Sequence, residues 1–439
     1  MTTLPAFETL RQRFALTGGR RPLLGGLAAL PLVGAGALLA DEDAAAKAKR
    51  KGKGKPARKQ HRKQQHTGAQ AEKKAKKVTV CLNGQTVSAP KKKAKKLLKQ
   101  GATNGACSGG GGSTTTSTSS TAAPCTFDHW TSHGSFGGPP SGGANDRFEN
   151  PEGCALSSDG KTLWVADFSN NRVSFWTRSN ATSTVWAPAG RFGIGTLDGP
   201  SAVALAPDEK TMWIANQAGG FISVWTRETA SSNSWNHSYE FATPGSGDGN
   251  LNQPTAVSIS ADTCTLWVVD FGNNRVAVWS RANPSSITWN HDYSFGPTGS
   301  FPLSSPVGIV VSADTKTAWV SDSNNRINIW TRPDASSQVW THAGKFGNGT
   351  GSGAAQFSSP RHLAMDSSEL RLWIGDQSNK RVSLWTRATT SSDTWLALTT
   401  IGTSAQFASP YGVAVSRDGA TLLVTDLGDD NVEMFTVDC

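Results

Sequence analysis

The sequence predicts an all-β chain whose larger part is a six-bladed β-propeller of four-stranded antiparallel blades, and three observations carry that expectation. The sixteen tryptophans fall into three columns of one internal repeat. Trp164, Trp213, Trp267, Trp319 and Trp373, completed by Leu423, form one column; Trp176, Trp225, Trp279, Trp330 and Trp385, completed by Phe435, form the second. The third is Trp130, Trp186, Trp235, Trp289, Trp340 and Trp395, each followed six residues later by Phe136, Phe192, Phe241, Phe295, Phe346 or Ile401. Second, the repeat length of about fifty residues, made of short alternating runs, is that of a propeller blade, a small sheet that buries both faces only when neighbours stack on it. Third, the outer-strand element appears first at Trp130 to Phe136, whereas the last repeat stops after its third strand at Phe435. The first strand must therefore complete the last blade, which removes the exposed edges of an open sheet.

Within each repeat the order of elements is constant, as the first shows. Phe148-x-x-Pro151 leads into a strand at Gly153 to Ser157, an Asp159-Gly160 turn, and the strand Thr162-Leu-Trp-Val-Ala-Asp167. Asn170-Asn171-Arg172 turns the chain into a third strand, Val173 to Trp176, and a Ser- and Asn-rich turn leads to an outer strand through Trp186 to Phe192.

Charge and composition divide the chain near residue 124. Residues 1–124 hold 24 Lys and Arg against 5 Asp and Glu, a net of +19, and residues 125–439 hold 19 against 28, a net of −9. The propeller is acidic, so its field repels phosphate backbones and nucleic acid is not an expected partner. Residues 1–46 read as an export signal, with Arg11, Arg13, Arg20 and Arg21, an apolar run from Leu23 to Leu39, and small residues at Ala40 and Ala44 to Ala46. Arg20-Arg21 before a Gly-rich run resembles a bacterial twin-arginine signal, although Pro22 and Leu23 follow where that motif has a polar residue and Phe. The run is short for a membrane span, so cleavage is favoured over a retained anchor.

Residues 47–77 have no apolar periodicity to offset the entropy of ordering them, which predicts a disordered basic segment suited to an anionic cell surface. Residues 78–107 form a small island in which Val78 to Cys81 and Gln85 to Val87 can pair across Asn83-Gly84, with a Lys-rich helix from Lys91 to Lys99. In an oxidising compartment Cys81 and Cys107 are expected to bond, a closure worth about 3 kcal/mol. The island resembles a short module of exported bacterial proteins that has no known activity. Residues 108–124 are a Gly, Ser and Thr linker to the propeller at 125–439.

Trp164-Val-Ala-Asp-Phe-Ser-Asn-Asn-Arg-Val173 and its copy Trp267-Val-Val-Asp-Phe-Gly-Asn-Asn-Arg-Val276 resemble NHL repeats, named for an Asn-His-Leu motif, and the motif recurs with drift through residues 125–439. The resemblance implies an interaction platform. Six-bladed relatives also include lyases and metal-dependent lactonases that place ions and His at the channel mouth, which is the alternative reading here. Because Cys125 and Cys439 flank the two closing strands, they are expected to bond, closing a loop that the entropy account values on the order of 5 kcal/mol. Cys154 and Cys264 are expected to be unpaired.

The column Asp167, Asn216, Asp270, Asp322, Asp376 and Asp426 and the arginines Arg172, Arg275, Arg326 and Arg381 repeat once per blade, which favours a structural role: short acids holding tight loops, with Arg bridging to the next blade. They lack an EF-hand spacing, and no metal or other cofactor is expected. His237, His291, His342 and His133 sit one per blade near the periphery, too scattered to share zinc, and read as surface decoration. No Gly-x-Ser-x-Gly, His-Glu-x-x-His or phosphate loop is present, so no catalytic residue is assigned.

Departures from the repeat carry more information. The pair after each repeat Pro reads Glu152-Gly153, Ser201-Ala202, Thr255-Ala256, Val307-Gly308, Arg361-His362 and Tyr411-Gly412. Blades five, six and one are consecutive around a closed ring, so Glu152, Arg361, His362 and Tyr411 are expected to meet at one side of the channel mouth as a ligand-binding cluster. Ser201, Thr255 and Val307 occupy the rest of the ring and offer no metal-ligand set. In blade two, Asn216-Gln-Ala-Gly-Gly-Phe221 replaces the Asp and Arg, which marks either a binding notch or a degraded repeat. The expected protein is thus a monomeric, extracellular or cell-surface propeller, exported from a bacterial cytoplasm, that binds a protein or glycan through its loop face.

Overall fold

The computed structural model describes residues 77–82, 85–90, 95–96, 103–104, 126–138 and 147–437. The chain divides into two compact units, Met1–Thr114 and Thr115–Cys439, and the division falls inside the expected linker. In the first unit Lys77–Leu82 is the central strand, flanked by Gln85–Pro90 and Thr103–Asn104. Leu82 pairs with Gln85, the hairpin pairing expected from the sequence. Residues 95–96, within the expected Lys-rich helix, are helical. The export signal, the basic segment up to residue 76, Cys107, Cys125 and Cys439 lie outside the described residues, Lys77 at the end of that segment begins a strand, and of Cys81 only the backbone is described. Among the described residues no helix is long and apolar enough to cross a membrane.

The second unit consists of six four-stranded antiparallel sheets, the six-bladed propeller. Blade one is Pro151–Leu156, Thr162–Asp167, Arg172–Thr177 and Ala187–Phe192, from channel to rim. Blade six takes Pro410–Val415, Thr421–Asp426 and Asn431–Val437 from the end of the chain and Trp130–Phe136 from the start. Its closure is an antiparallel ladder in which Val432 faces Phe136 and Val437 faces Trp130, with a shift of register between Glu433 and Phe435. Second strands such as Thr162–Asp167 are covered on both faces and read as continuous apolar runs. Outer strands such as Leu396–Ile401 alternate between exposed and inward positions because only one face is covered.

The three tryptophan columns explain how blades adhere. A second-strand Trp meets the outer-strand Trp of the next blade edge-on: Trp164 and Trp235 at 6.2 Å, Trp213 and Trp289 at 6.1 Å, Trp319 and Trp395 at 5.8 Å. In five blades the outer strand ends in a Phe that stacks on that same Trp of the next blade, as Phe192 does on Trp235 at 5.5 Å and Phe295 on Trp340 at 4.8 Å. Trp130 closes the ring by meeting Trp373 at 6.2 Å, and Phe136 stacks on Trp186 at 5.5 Å. These pairings are the offset and T-shaped geometries that ring quadrupoles favour.

A further column was not singled out from the sequence. The arginine after each third-strand Trp-Thr or Trp-Ser pair is buried between blades. Arg227 lies 5.1 Å from the Trp164 ring and 4.7 Å from Trp235, and Arg281, Arg332 and Arg387 repeat the arrangement. Each donates its Nε to a carbonyl in the first turn of its own blade, Arg227 to Glu209 at 2.6 Å and Arg332 to Thr315 at 2.7 Å. A planar cation sandwiched between indoles and tied to a carbonyl needs the Arg geometry, which Lys lacks.

Candidate functional site: the channel mouth

First strands begin, and second strands end, at the same face of the disc, since Pro151 pairs with Asp167 and Pro410 with Asp426. The repeated Asp, Asn and Arg residues lie there and hold the loops. Asp270 accepts the Asn252 backbone N–H at 2.7 Å and pairs with Arg275 at 2.7 Å; Asp167 and Asp376 act alike with Arg172 and Arg381, and Asp322 pairs with Arg326 while accepting the N–H of Asn324 in its own loop. One detail differs from the expectation: the further bonds of Arg275, Arg326 and Arg381 go to the loop entering their own blade and not to the next blade. Arg275 reaches back to the carbonyls of Gly247 and Asn250, in the loop entering its own blade. The bridge is made by the second Asn of the motif. Asn171, Asn274 and Asn325 adopt the left-handed conformation and accept the N–H of Gly199, Ser305 and Ser359 in the next blade, each at 2.7 Å. Asn tolerates that conformation, and its short amide reaches where an Arg paired inward does not.

The position two after each repeat Pro is small for a packing reason. A Cβ on Gly412 would lie 2.1 Å from the Glu152 carbonyl oxygen, on Gly308 2.6 Å from that of Arg361, and on Gly153 2.7 Å from that of Ser201. Each first strand thus abuts the backbone of the next at the mouth. The pairing register shifts between Pro151 and Cys154, Pro360 and Leu363, and Pro410 and Val413, bulges that re-aim side chains where the strand opens onto the mouth.

His362 breaks the small-residue rule, and its ring turns into the channel. It lies against Gly153 of blade one, whose Cβ would be 2.8 Å from His362 Cε1, and against the Thr255 carbonyl of blade three. The ring lines a cavity of about 60 Å³ together with Cys154, Val203, Val257, Ile309, Leu363 and Val413. That volume holds a few waters and is well below the roughly 300–1,000 Å³ of a small-molecule pocket.

The structure brings Glu152, Arg361, His362 and Tyr411 together, as their places in consecutive blades imply. The Arg361 guanidinium packs 5.4 Å from the Tyr411 ring centroid, and the His362 and Tyr411 rings are 5.2 Å apart. Arg361 donates its Nε to Gln377 Oε1 at 2.6 Å, and Gln377 in turn donates to Ser409 Oγ at 2.7 Å. Gln377 and Ser409 belong to this site, yet no repeat departure distinguishes them in the sequence. Across the ring, Ser201 donates to the Pro254 carbonyl at 2.8 Å and Thr255 to the Val307 carbonyl at 2.9 Å, so their hydroxyls tie blades together.

Burial sets the charge states. Removal from water pushes the Glu152 carboxyl up to about 8, although Arg361 opposes this, and pushes His362 down to about 4. At neutral pH both are therefore uncharged. Burial also raises Tyr411 and lowers Arg361 from their ordinary values, with Tyr411 and Glu152 acting in the opposite sense on Arg361. Glu152 Oε2 and His362 Nε2 are buried without hydrogen-bond partners, an arrangement that native interiors seldom leave unexplained.

The other candidates resolve differently. The blade-two departure is not an open notch. Gly220 sits against Pro244 and the Leu251 carbonyl, which belong to a short parallel pair, Thr243–Pro244 with Asn250–Leu251, in the loop between blades two and three. The peripheral histidines are more than decoration: His237, His291 and His342 pack edge-on against Trp225, Trp279 and Trp330 at 5.2 to 5.4 Å. Among the described residues no group of three or more His, Cys, Asp or Glu side chains is placed to hold a metal. Cys154 and Cys264 are free thiols.

No protein-family model matches the chain, and no curated protein matches it. Among solved structures it is similar to a candidate 6-phosphogluconolactonase from Bacteroides fragilis at 16% identity and a TM-score of 0.49, over 69% of this chain and 90% of that one. A second such protein, from Bacteroides uniformis, gives 12% identity and a TM-score of 0.48 over 69% and 91%. The hydrazine synthase of Kuenenia stuttgartiensis gives 17% identity and 0.46 over 68% and 99%. Identities and TM-scores this low carry no statement about chemistry, and what this chain does must be argued from its own mouth and loops.

Proposed function

We propose that this chain is an exported NHL-repeat propeller that works as a protein- or glycan-binding platform, with the channel mouth at the centre of its recognition face. The observation that carries the reading is the narrow channel. Its cavity of about 60 Å³ beside His362 is too small to take in a substrate there, and the Arg361 guanidinium stands 5.4 Å from the Tyr411 ring close by. A surface of this kind suits a protruding group on a macromolecule better than a small molecule. The NHL assignment rests on the Asp-x-x-Asn-Asn-Arg element, each member of which has a distinct bonding role here. The basic segment would tether the disc to an anionic surface.

The test is a binding screen of the full chain against extracellular proteins and glycans, repeated with Arg361→Gln at the mouth and Lys161→Ala on the opposite face. A partner retained by Lys161→Ala and lost by Arg361→Gln supports the platform. A partner indifferent to the mouth, or turnover of a ligand by the wild-type chain, would overturn it.

A further inference from the structure

We infer that blade six carries a cation site: Asp426, Glu433 and Asn431 receive a calcium ion at the place where other blades seat an arginine guanidinium. The site is separate from the channel mouth and from whatever binds there. In blades one, three, four and five a buried Asp pairs with an arginine at the start of the third strand, Asp167 with Arg172 at 2.6 Å and Asp270 with Arg275 at 2.7 Å among them. The same guanidinium donates to carbonyls of the loop entering the blade, as Arg275 does to Asn250 and Arg381 to Gln356. A positive charge thus sits between one carboxylate and a set of neutral oxygens. Blade two loses the acid and the arginine together, with Asn216 and Phe221 in their places, so its balance of charge is kept.

Blade six keeps the acid, loses the arginine and adds a second acid. Asp426 is fully buried, and Asn431 stands opposite it on the ladder where Arg172 stands opposite Asp167. Two residues further on, where Ser174 and Ser383 donate their hydroxyls to the paired Asp oxygen at 3.1 and 3.4 Å, blade six has Glu433. An ionised carboxylate cannot donate, and this one is buried too. Among the described residues no Lys or Arg forms an ion pair with Asp426 or Glu433. The backbone N–H groups of Ala408, Ser409, Gly428 and Asp429 steady Asp426, but they bring no whole charge to balance Glu433. Burial, with the charges of Asp426 and Asp429 beside it, raises the Glu433 carboxyl from its ordinary value.

Asn431 marks the ligand as a cation. Its amide donates to Glu433, and its Oδ1 is buried without a hydrogen-bond partner in a residue only 8% exposed. A buried amide oxygen beside two carboxylates calls for a positive partner. No third acid is placed with them, so the further ligands are neutral oxygens. The Gln406 carbonyl is the matching one, since Gln406 stands as far before Asn431 as Gln356 does before Arg381. Hard oxygens of mixed charge suit calcium, whereas magnesium demands a stricter octahedron and keeps more of its water. Glu433 also pairs with Ser135 of the closing strand, so an ion here would fasten the loop after Asp426 to the closure of the ring.

Two carboxylates with neutral oxygens predict a dissociation constant on the order of 10⁻⁴ to 10⁻³ M. After chelation, the full chain should melt about 2–4 °C higher in about 10 mM calcium than without it at the same ionic strength. The near-isosteric Glu433→Gln should lose that rise. Asn431→Arg should lose it as well while melting above the chelated wild type, because the guanidinium of the repeat then takes the place of the ion. Asp426 is left intact in both variants, since it holds the loop. Calorimetric titration should find one calcium in wild type and none in either variant. A rise kept by both variants would put the calcium elsewhere on the chain and overturn the inference. No rise in wild type, with stability that instead falls as Glu433 ionises, would mean that the two acids share a proton, and would overturn it too.

Discussion

At the scale of single residues the propeller is held by side chains whose burial forces a definite partner or charge state, and these states are measurable. Glu152 has an ordinary value of 4.5 and sits near 8 in the fold, so between those values the folded chain keeps a proton that the unfolded chain releases. Its raised carboxyl therefore costs stability as pH climbs. His362 is depressed from 6.5 to about 4 and acts oppositely, its contribution being lost as pH falls through that window. The two slopes oppose one another up to pH 6.5, and above it only Glu152 acts. Wild-type stability should fall between pH 6.5 and 8 with a slope approaching about 1.4 kcal/mol per pH unit, and Glu152→Gln should remove the slope. Denaturant unfolding across that range checks it; parallel slopes would remove Glu152 from the account. The interblade arginines give a second expectation. Arg227→Leu should cost about 2 kcal/mol through loss of the Trp164 and Trp235 sandwich, with Arg227→Lys recovering less than half. These arginines were visible in the sequence as a column, but nothing in their spacing tells a buried stacked cation from a solvated turn residue. The mouth quartet was legible because it breaks a repeat; Gln377 and Ser409 break none.

At the scale of elements, the start of each first strand does most to shape the mouth. Its small residue lets two backbones meet, and its bulge re-aims the residue after the Pro. Gly412→Ala should be strongly destabilising, because the new methyl would fall 2.1 Å from the Glu152 carbonyl and must displace backbone. Gly344→Ala, in an outer strand with nothing within 4 Å, should be nearly neutral. Thermal melting of the two variants separates backbone crowding from a general intolerance of substitution. The sequence showed the alternation of strands, which follows from which faces are covered, and the small residue two after five of the six repeat prolines. It did not show that the small residue answers to a carbonyl of the neighbouring blade, because that contact crosses about fifty residues of chain. For the same reason the blade-two departure read as ambiguous: the Pro244 and Leu251 that fill it come from the following loop.

At the scale of the molecule, closure and charge distribution determine what the disc presents. The ring is shut by Trp130–Phe136 on Asn431–Val437 and reinforced by Trp130 against Trp373 and Arg371 over Phe127 at 3.5 Å. Removing residues 1–137 should leave an unpaired edge on Asn431–Val437, and light scattering should show association that the full chain does not undergo. The net of +19 on residues 1–124 predicts binding to vesicles rich in anionic lipid that weakens steeply with salt, whereas residues 125–439, at −9, should not bind them. The architecture was legible from the tryptophan columns because every blade repeats the same packing problem. The ligand was not, since recognition lies in the few positions where the repeat lapses. The central claim, that recognition is centred on the channel mouth, is tested most directly by hydrogen exchange of the full chain with and without the first partner found by screening. The account predicts new protection around Glu152, Arg361 and Tyr411 and in the loops entering blades five and six. Protection confined to the opposite face, in the turns around Asp159 and Asp208, would contradict it.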